Sequence, residues 1–442
     1  MDKYNHKIIT EGNKKSLTIN PPYMNQLIGA VFASIGIYKC VPLVHGSLGC
    51  ANYVKHILVE HFKEPLDIAT TGFYESNAIH GGISNLNTAI ENIEISKNPE
   101  LIVVLTTGLI ETIGEDVKSE IRKNYPNKNI VAVNTPSYIG THIDGYNNAV
   151  KSIIEGILEK NKDIIYKTSK TAKNEIINVI PGIVNPGDVH ELEHIFKTLN
   201  IKYNLLTDIK ALDRPLILPK EEYPKCNTTV DNIKNAINSK ATISFGIEGV
   251  DGGKYLKKFG VASYNLKYPI GVKNTDDFIK ILSEIFSTEI PDELWEDRGY
   301  ALDAMVDTNH IIRNKKVAIY GDPDKVIGLV DFAHEMGMDV VAVLPNTKTK
   351  YFAKEIKRSN TANNKNTAII DGDLYELQNF LKSHTVDLLI GDYRGKYVVD
   401  ILDIPLLRVG FPVIDRYGHT KKPMIGYNGA MNIANDIANI LS

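Results

Sequence analysis

Cysteine is scarce in this chain: among 442 residues there are three, Cys40, Cys50 and Cys226, odd in number and far apart. That excludes a framework of structural disulfides and leaves metal binding or redox chemistry as the work open to a thiol in a reducing compartment. No Cys-x-x-Cys pair occurs, so an all-cysteine [4Fe-4S] site, which needs four thiolates, cannot be completed by this chain alone. There is also no run of about 18 apolar residues of the kind that spans a bilayer. The opening "MDKYNHKIITEGNKK" is polar, with no apolar core of a signal peptide, which predicts a cytoplasmic protein. Charge of one sign is lacking too. With 50 Lys and Arg against 53 Asp and Glu, a net charge of −3, there is no basic stripe to displace counterions from a phosphate backbone, so nucleic acid is not the expected partner.

Several familiar motifs are missing as well. "AIYGDPDKVIGL" places Gly321 and Asp322 after a strand-like run, but neither G-x-G-x-x-G nor G-x-x-x-x-G-K-[ST] is present to cradle a pyrophosphate. It reads as a structural turn with Asp322 or Asp324 as a helix cap. His45, His56 and His61 lack the His-Glu-x-x-His spacing of a zinc helix; His56 and His61 are separated by roughly 140° around a helix and share no face. In "HGSLG" no residue separates Gly46 from Ser47, so the G-x-S-x-G elbow of a serine hydrolase is absent.

What is present is material for cores. The composition is 43% apolar and 23% charged, as in a globular protein, and the length suggests about three domains at roughly 150 residues each. Short β-branched runs alternate with amphipathic segments, the pattern of parallel sheets flanked by helices. "LIVVLTT" (Leu101 to Thr107) and "NIVAVNTP" (Asn129 to Pro136) read as buried strands joined by a helix from Gly114. A second series starts at "EIINVIPG" (Glu175 to Gly182), has a helix in "NPGDVHELEHIFKTLN" with Asp188 as its cap, and returns through "IKYNLL" and "ATISFG". A long helix from Pro291, placed at its first position, leads to a third series: "KVAIYGDP", "DVVAVLP", "TAIIDGD", "DLLIGD" and "PLLRVGF". "RSNTANNKNT" (Arg358 to Thr367) reads as a polar loop. The expected fold is α/β, three Rossmann-like domains: 1–174 with an N-terminal extension, 175–290, and 291–442 with a C-terminal helix.

One thiol has a distinctive setting. "VPLVHGSLGCANYVKHIL" puts Cys50 after a glycine-rich turn, near the start of a helix expected from about Gly49, where unpaired N–H groups and the helix dipole favour a thiolate. That suits an iron or zinc ligand; the alternative is a thiol packed as a small apolar side chain. Cys40, inside "IYKCVPLV", reads as packed, and Cys226, in "YPKCNTTV", as an incidental exposed or half-exposed thiol.

A family resemblance carries the reading further. "INPPYMNQLIGAVFASIGIYKCVPLVHGSLGCANYVKHILVEHFKEP" resembles the N-terminal signature of the β-type subunits of the nitrogenase component 1 family. "TTGLIETIGED", "NTPSYIGTHIDGY", "DAMVDTNHII", "GDPDKVIGL" and "RVGFPVIDR" match further along, in order, from about Ile19 to Arg416. The catalytic β subunits of that family carry three cysteines for a cluster shared with an α subunit; matched motif by motif, they fall at Asn25, Cys50 and Gly108. Only Cys50 is present here. The branch of the family with this pattern is the N subunit of the NifE–NifN scaffold, on which the nitrogenase cofactor is assembled.

The resemblance implies that Cys50 is the one ligand this chain gives to a [4Fe-4S] cluster at the interface with a NifE-like α-type subunit in an α2β2 heterotetramer. The nitrogenase iron protein is the implied electron donor, and the iron-molybdenum cofactor precursor is held mainly by the partner. Asn25, Gly49, Thr71, Gly72, Thr107 and Gly108 would form the near half of the cluster pocket, the glycines allowing close backbone approach. Leu48 departs from the motif's usual glutamine. A vanadium-system counterpart has the same architecture. The alternatives are a β subunit of a nitrogenase or nitrogenase-like reductase with a reduced ligand set, and a cluster-free structural partner.

Overall fold

The computed structural model describes residues 19, 21–161, 173–213, 226–363 and 366–442. Thirteen strands among them form three sheets in which every pair is parallel. The first contains β1 (Cys40–His45), β2 (Ala69–Thr70), β3 (Leu101–Thr106) and β4 (Ile130–Val133) in the order β2-β1-β3-β4. The second contains β5 (Asn174–Ile180), β6 (Lys202–Leu205), β7 (Ser239–Phe245) and β8 (Ala262–Leu266), ordered β6-β5-β7-β8. The third contains β9 (Lys316–Gly321), β10 (Asp339–Pro345), β11 (Ala368–Ile369), β12 (Leu388–Gly391) and β13 (Leu406–Arg408), ordered β11-β10-β9-β12-β13. The α/β architecture of three helix-flanked parallel sheets is therefore the one expected.

By packing, the chain forms two compact units. One is Met24–Leu266 with Leu282–Glu289; the other is Lys267–Ile281 with Ile290–Ser442 and the described residues before Met24. The first unit holds the first two sheets. Every residue of β1, β3 and β4 is buried, because helices cover both faces of a parallel sheet, and an apolar residue is then favoured at each position. Each Val or Leu so buried stabilises by about 1.5–3 kcal/mol.

Several boundaries differ from the sequence reading. Gly114 does not start a helix but ends one: it caps Gly108–Ile113 in the left-handed region (φ +80), and Asp116 opens the next helix, Val117–Asn124, by accepting from Ser119 N at 3.0 Å. Asn185, not Asp188, caps Pro186–Thr198; Asp188 lies three residues in and its carboxylate accepts from Asn185 N at 3.0 Å. The long helix is Asp292–Ile312, with Pro291 one place outside it as the cap. Arg358 to Asn363 belong to the helix Lys350–Asn363, not to a loop, while 364 and 365 lie outside the described residues. Asp322 does stand at the cap of Pro323–Glu335, but its carboxylate does not cap: it pairs with Lys325 Nζ at 2.7 Å and accepts from Asn346.

One helix crossing matters for the site. Gln26–Ile35 lies against His142–Lys160 so closely that a Cβ on Gly29 would stand 1.7 Å from the His142 carbonyl oxygen, and one on Gly145 1.9 Å from that of Gln26. Only glycine permits this approach. His142 N donates to Met24 O at 2.8 Å and Gln26 Nε2 to Ile139 O at 2.9 Å, so the main chain before Asn25 and the side chain after it are both held.

Candidate metal centre

The register of β1 against β3 pairs His45 with Thr106, so the turns that follow, Gly46 to Gly49 and Thr107 to Gly108, leave the sheet side by side. This is where the strand order reverses: the chain passes from β1 to β2 on one side and continues to β3 and β4 on the other. A crevice opens beyond the carboxyl ends of the strands at such a point. Here it is a cavity of about 300 Å³ lined by Asn25, Leu27, Ser47, Gly49, Cys50, Tyr53, Thr107, Gly108, Thr135 and Ser137.

Ser47, in extended conformation (φ −69, ψ 153), is the N-cap of Leu48–Phe62, and Cys50 is the third residue of that helix. The thiol is exposed, and its Sγ accepts a hydrogen bond from Ser47 Oγ at 3.3 Å. Across the cavity, Thr107 is the N-cap of Gly108–Ile113, yet its hydroxyl does not cap that helix. Thr107 Oγ1 and Asn25 Oδ1 are both buried without a hydrogen-bond partner.

Of the seven residues singled out in the sequence, the structure brings five together at this cavity: Asn25, Gly49, Cys50, Thr107 and Gly108. Thr71 and Gly72 do not line it. Thr71 Oγ1 is taken up behind the turn, 3.1 Å from His45 Nδ1 and accepting from Gly46 N at 3.1 Å, and its side chain lines a separate cavity with Ala69 and Asn85. Gly72 takes a left-handed conformation (φ +59). Sequence reasoning missed Leu27, Ser47, Tyr53, Thr135 and Ser137. The last two follow β4, and the cue was available: the loop after the next strand of a parallel sheet opens at the same edge.

The histidines part company. His45 is fully buried, with Nε2 2.9 Å from Glu115 Oε2; burial holds its pKa below the ordinary imidazole value, opposed by that carboxylate. Buried His61 meets Asn185 Oδ1 at 2.8 Å, and His56 is exposed. Cys40 is buried, and burial, reinforced by nearby Cys226, pushes its thiol far up. Cys226 is half-buried, its Sγ directed at Thr228 O (3.5 Å) and Gly36 O (3.8 Å), and burial pushes it up to about 12.

Among the described residues, no group of three or more His, Cys, Asp or Glu is arranged to hold a metal ion. The cavity offers one soft ligand, Cys50, amid hydroxyls and an amide. Iron–sulfur clusters select thiolate, so this donor set fits one corner of a cluster and cannot hold a whole one. Tyr53, which lines the cavity, is exposed, and so are the apolar residues that flank the lining in sequence, Leu48 before Gly49, Leu109 after Gly108, and Tyr138 and Ile139 after Ser137, which together make an apolar rim. No helix among the described residues is long and apolar enough to cross a membrane.

Fold and site together define a protein of three parallel sheets with a single-thiol crevice at the switch point of the first. The family model for nitrogenase component 1 type oxidoreductases matches residues 25–442, and the chain belongs to that family. It is 38% identical to the nitrogenase molybdenum-iron protein beta chain of Clostridium pasteurianum, over 97% of this chain and 94% of that one. It is 36% identical to the vanadium-iron protein beta chain of Trichormus variabilis (97% and 95%), and 33% to the iron-iron protein beta chain of Rhodobacter capsulatus (96% and 94%). The solved structure "Nitrogenase Cp1 at pH 6.5" superimposes with a TM-score of 0.90 at 37% identity, covering 98% of this chain and 94% of that chain. These relatives are named as β chains of nitrogenase proteins, not as scaffold subunits, and what they show is the β-type kinship.

Proposed function

We propose that this chain is the N-type subunit of a NifE–NifN-type scaffold for nitrogenase cofactor assembly. One observation carries the reading: the cavity holds a single thiol, Cys50, with Asn25 and Gly108 where the catalytic β subunits resembled here have cysteine. A Cβ at Gly108 would stand 2.3 Å from Ser137 Oγ, so a side chain there requires that hydroxyl to turn aside. A NifE-like α-type subunit supplies the remaining thiolates of a shared [4Fe-4S] cluster, in an α2β2 assembly served by the nitrogenase iron protein. The maturing iron-molybdenum cofactor, or its vanadium counterpart, resides mainly in the partner.

When bound, the cluster supplies one-electron transfer. Cys50 would ligate iron, Ser47 would orient the sulfur by its hydrogen bond, and the apolar rim would exclude water once the partner is seated. The names of the relatives favour a second reading, a β subunit of a nitrogenase or nitrogenase-like reductase with a reduced ligand set.

The test is to co-purify the chain with its α-type partner, with and without Cys50→Ala, and to measure iron content and the EPR signal of the reduced cluster. Loss of most of the interface iron and of the signal in the variant is expected; unchanged values would remove Cys50 as a ligand. Activation of cofactor-deficient nitrogenase by the complex supports the scaffold, whereas turnover of a reducible substrate by the complex itself supports the reductase.

A further inference from the structure

We propose that the Thr107 hydroxyl donates a hydrogen bond to sulfur of the cluster held by Cys50, making Thr107 a positioning residue that sets the cluster's reduction potential. The inference rests on the reading of Cys50 as a ligand and deepens it.

Three observations support it. Thr107 is only 4% exposed and lines the same cavity as Cys50, yet Oγ1 has no hydrogen-bond partner. The ordinary use of an N-cap threonine, accepting from the first turn of its helix, is not made. The side chain is also pressed against the Cys50 turn: a Cβ on Gly46 would meet Thr107 Cγ2 at 2.3 Å and Oγ1 at 2.5 Å, so glycine there makes room for it.

A buried hydroxyl without a partner destabilises the fold, and an acceptor brought within its reach removes that cost. Sulfide and thiolate sulfur are acceptors only, so the hydroxyl must act as donor.

A hydrogen bond to cluster sulfur spreads negative charge and favours the reduced form, raising the potential. Its removal should lower the ratio of reduced to oxidised cluster at fixed poise by on the order of tenfold, which is about 59 mV for one electron.

The experiment is an EPR-monitored redox titration of the partner complex carrying Thr107→Val, Thr107→Ala or Thr107→Ser, with iron content measured in each. Expected are full iron in all three, a negative shift in Val and Ala, and a midpoint restored in Ser. Full iron with unshifted midpoints in Val and Ala would overturn the proposal; should Val lose iron by crowding, the Ala midpoint decides alone. Iron unaffected by Cys50→Ala would instead overturn the ligand reading beneath it.

Discussion

At the scale of the residue, the three thiols lie in three surroundings, and these decide which of them reacts. Cys50 is exposed on the first turn of its helix, whereas burial raises the thiols of Cys40 and Cys226. A rise from 9.0 to about 12 lowers the thiolate fraction of Cys226 on the order of a thousandfold at neutral pH, and the thiolate is the form that is alkylated. Brief treatment of the folded chain with iodoacetamide at pH 8 should therefore label Cys50 and leave the other two unmodified, as read by peptide mass spectrometry. Comparable early labelling at Cys226 would contradict the burial described. The same contrast shows what the sequence could convey. The glycine-rich approach to Cys50 marked a turn at a helix start, and Cys40 inside an apolar run was legible as packed. The shelter of Cys226, beside Gly36 some 190 positions away in the chain, was not, because it depends on tertiary proximity.

At the scale of the element, strands were the most legible feature, since a strand buried on both faces writes itself as an unbroken apolar run. Helix ends were less so. Gly114 and Asp188 were each recognised as terminal residues and misplaced by a turn, because local chemistry permits either a glycine stop or a start, and either end of a capping box. Of the cavity residues after β1 and β3, Gly49 and Gly108 were legible as glycines beside a thiol or a helix start, whereas Ser47 was not; Thr135 and Ser137 carry no mark of their own, and the cue to them is topological, the parallel pairing of β4 with β3.

Helix ends also carry a pH dependence. Glu335 accepts from Val272 N at 3.0 Å and Lys273 N at 3.3 Å, at the start of Gly271–Phe286. Burial nevertheless raises its pKa from 4.5 to about 7, with Asp331 acting in the same direction and the two N–H donors and Lys273 opposing. Below pH 4.5 the carboxyl is protonated both folded and unfolded. Between 4.5 and 7 the unfolded chain releases the proton while the folded one retains it, so stability falls as pH rises across that window and levels off above it. The linked change is at most roughly 3 kcal/mol. Denaturant unfolding at pH 5 and pH 8 should show a smaller pH-dependent loss in Glu335→Gln than in the parent chain. Equal losses would mean that this carboxyl does not titrate in the window.

At the scale of the whole molecule, incompleteness is the main result. The cavity supplies one soft ligand, two orphaned polar atoms and exposed apolar neighbours, and each lacks something a second chain or a bound group would provide: further thiolates, hydrogen-bond partners and a cover for Leu48, Leu109 and Tyr138. On the proposed reading the ligand set is divided between chains and stabilises only the complex, so cluster binding and association would be linked and each would strengthen the other. The chain expressed alone under anaerobic, iron-replete conditions should purify without appreciable interface iron, and co-expression with the α-type partner should bring in iron together with a rise in the unfolding temperature. Cys50→Ala in the co-expressed complex should forfeit part of that rise, because covering the apolar rim remains favourable while the shared ligation is lost. A cluster assembled on the isolated chain would refute divided ligation, since four thiolates cannot be drawn from one exposed and two sheltered cysteines of a single copy.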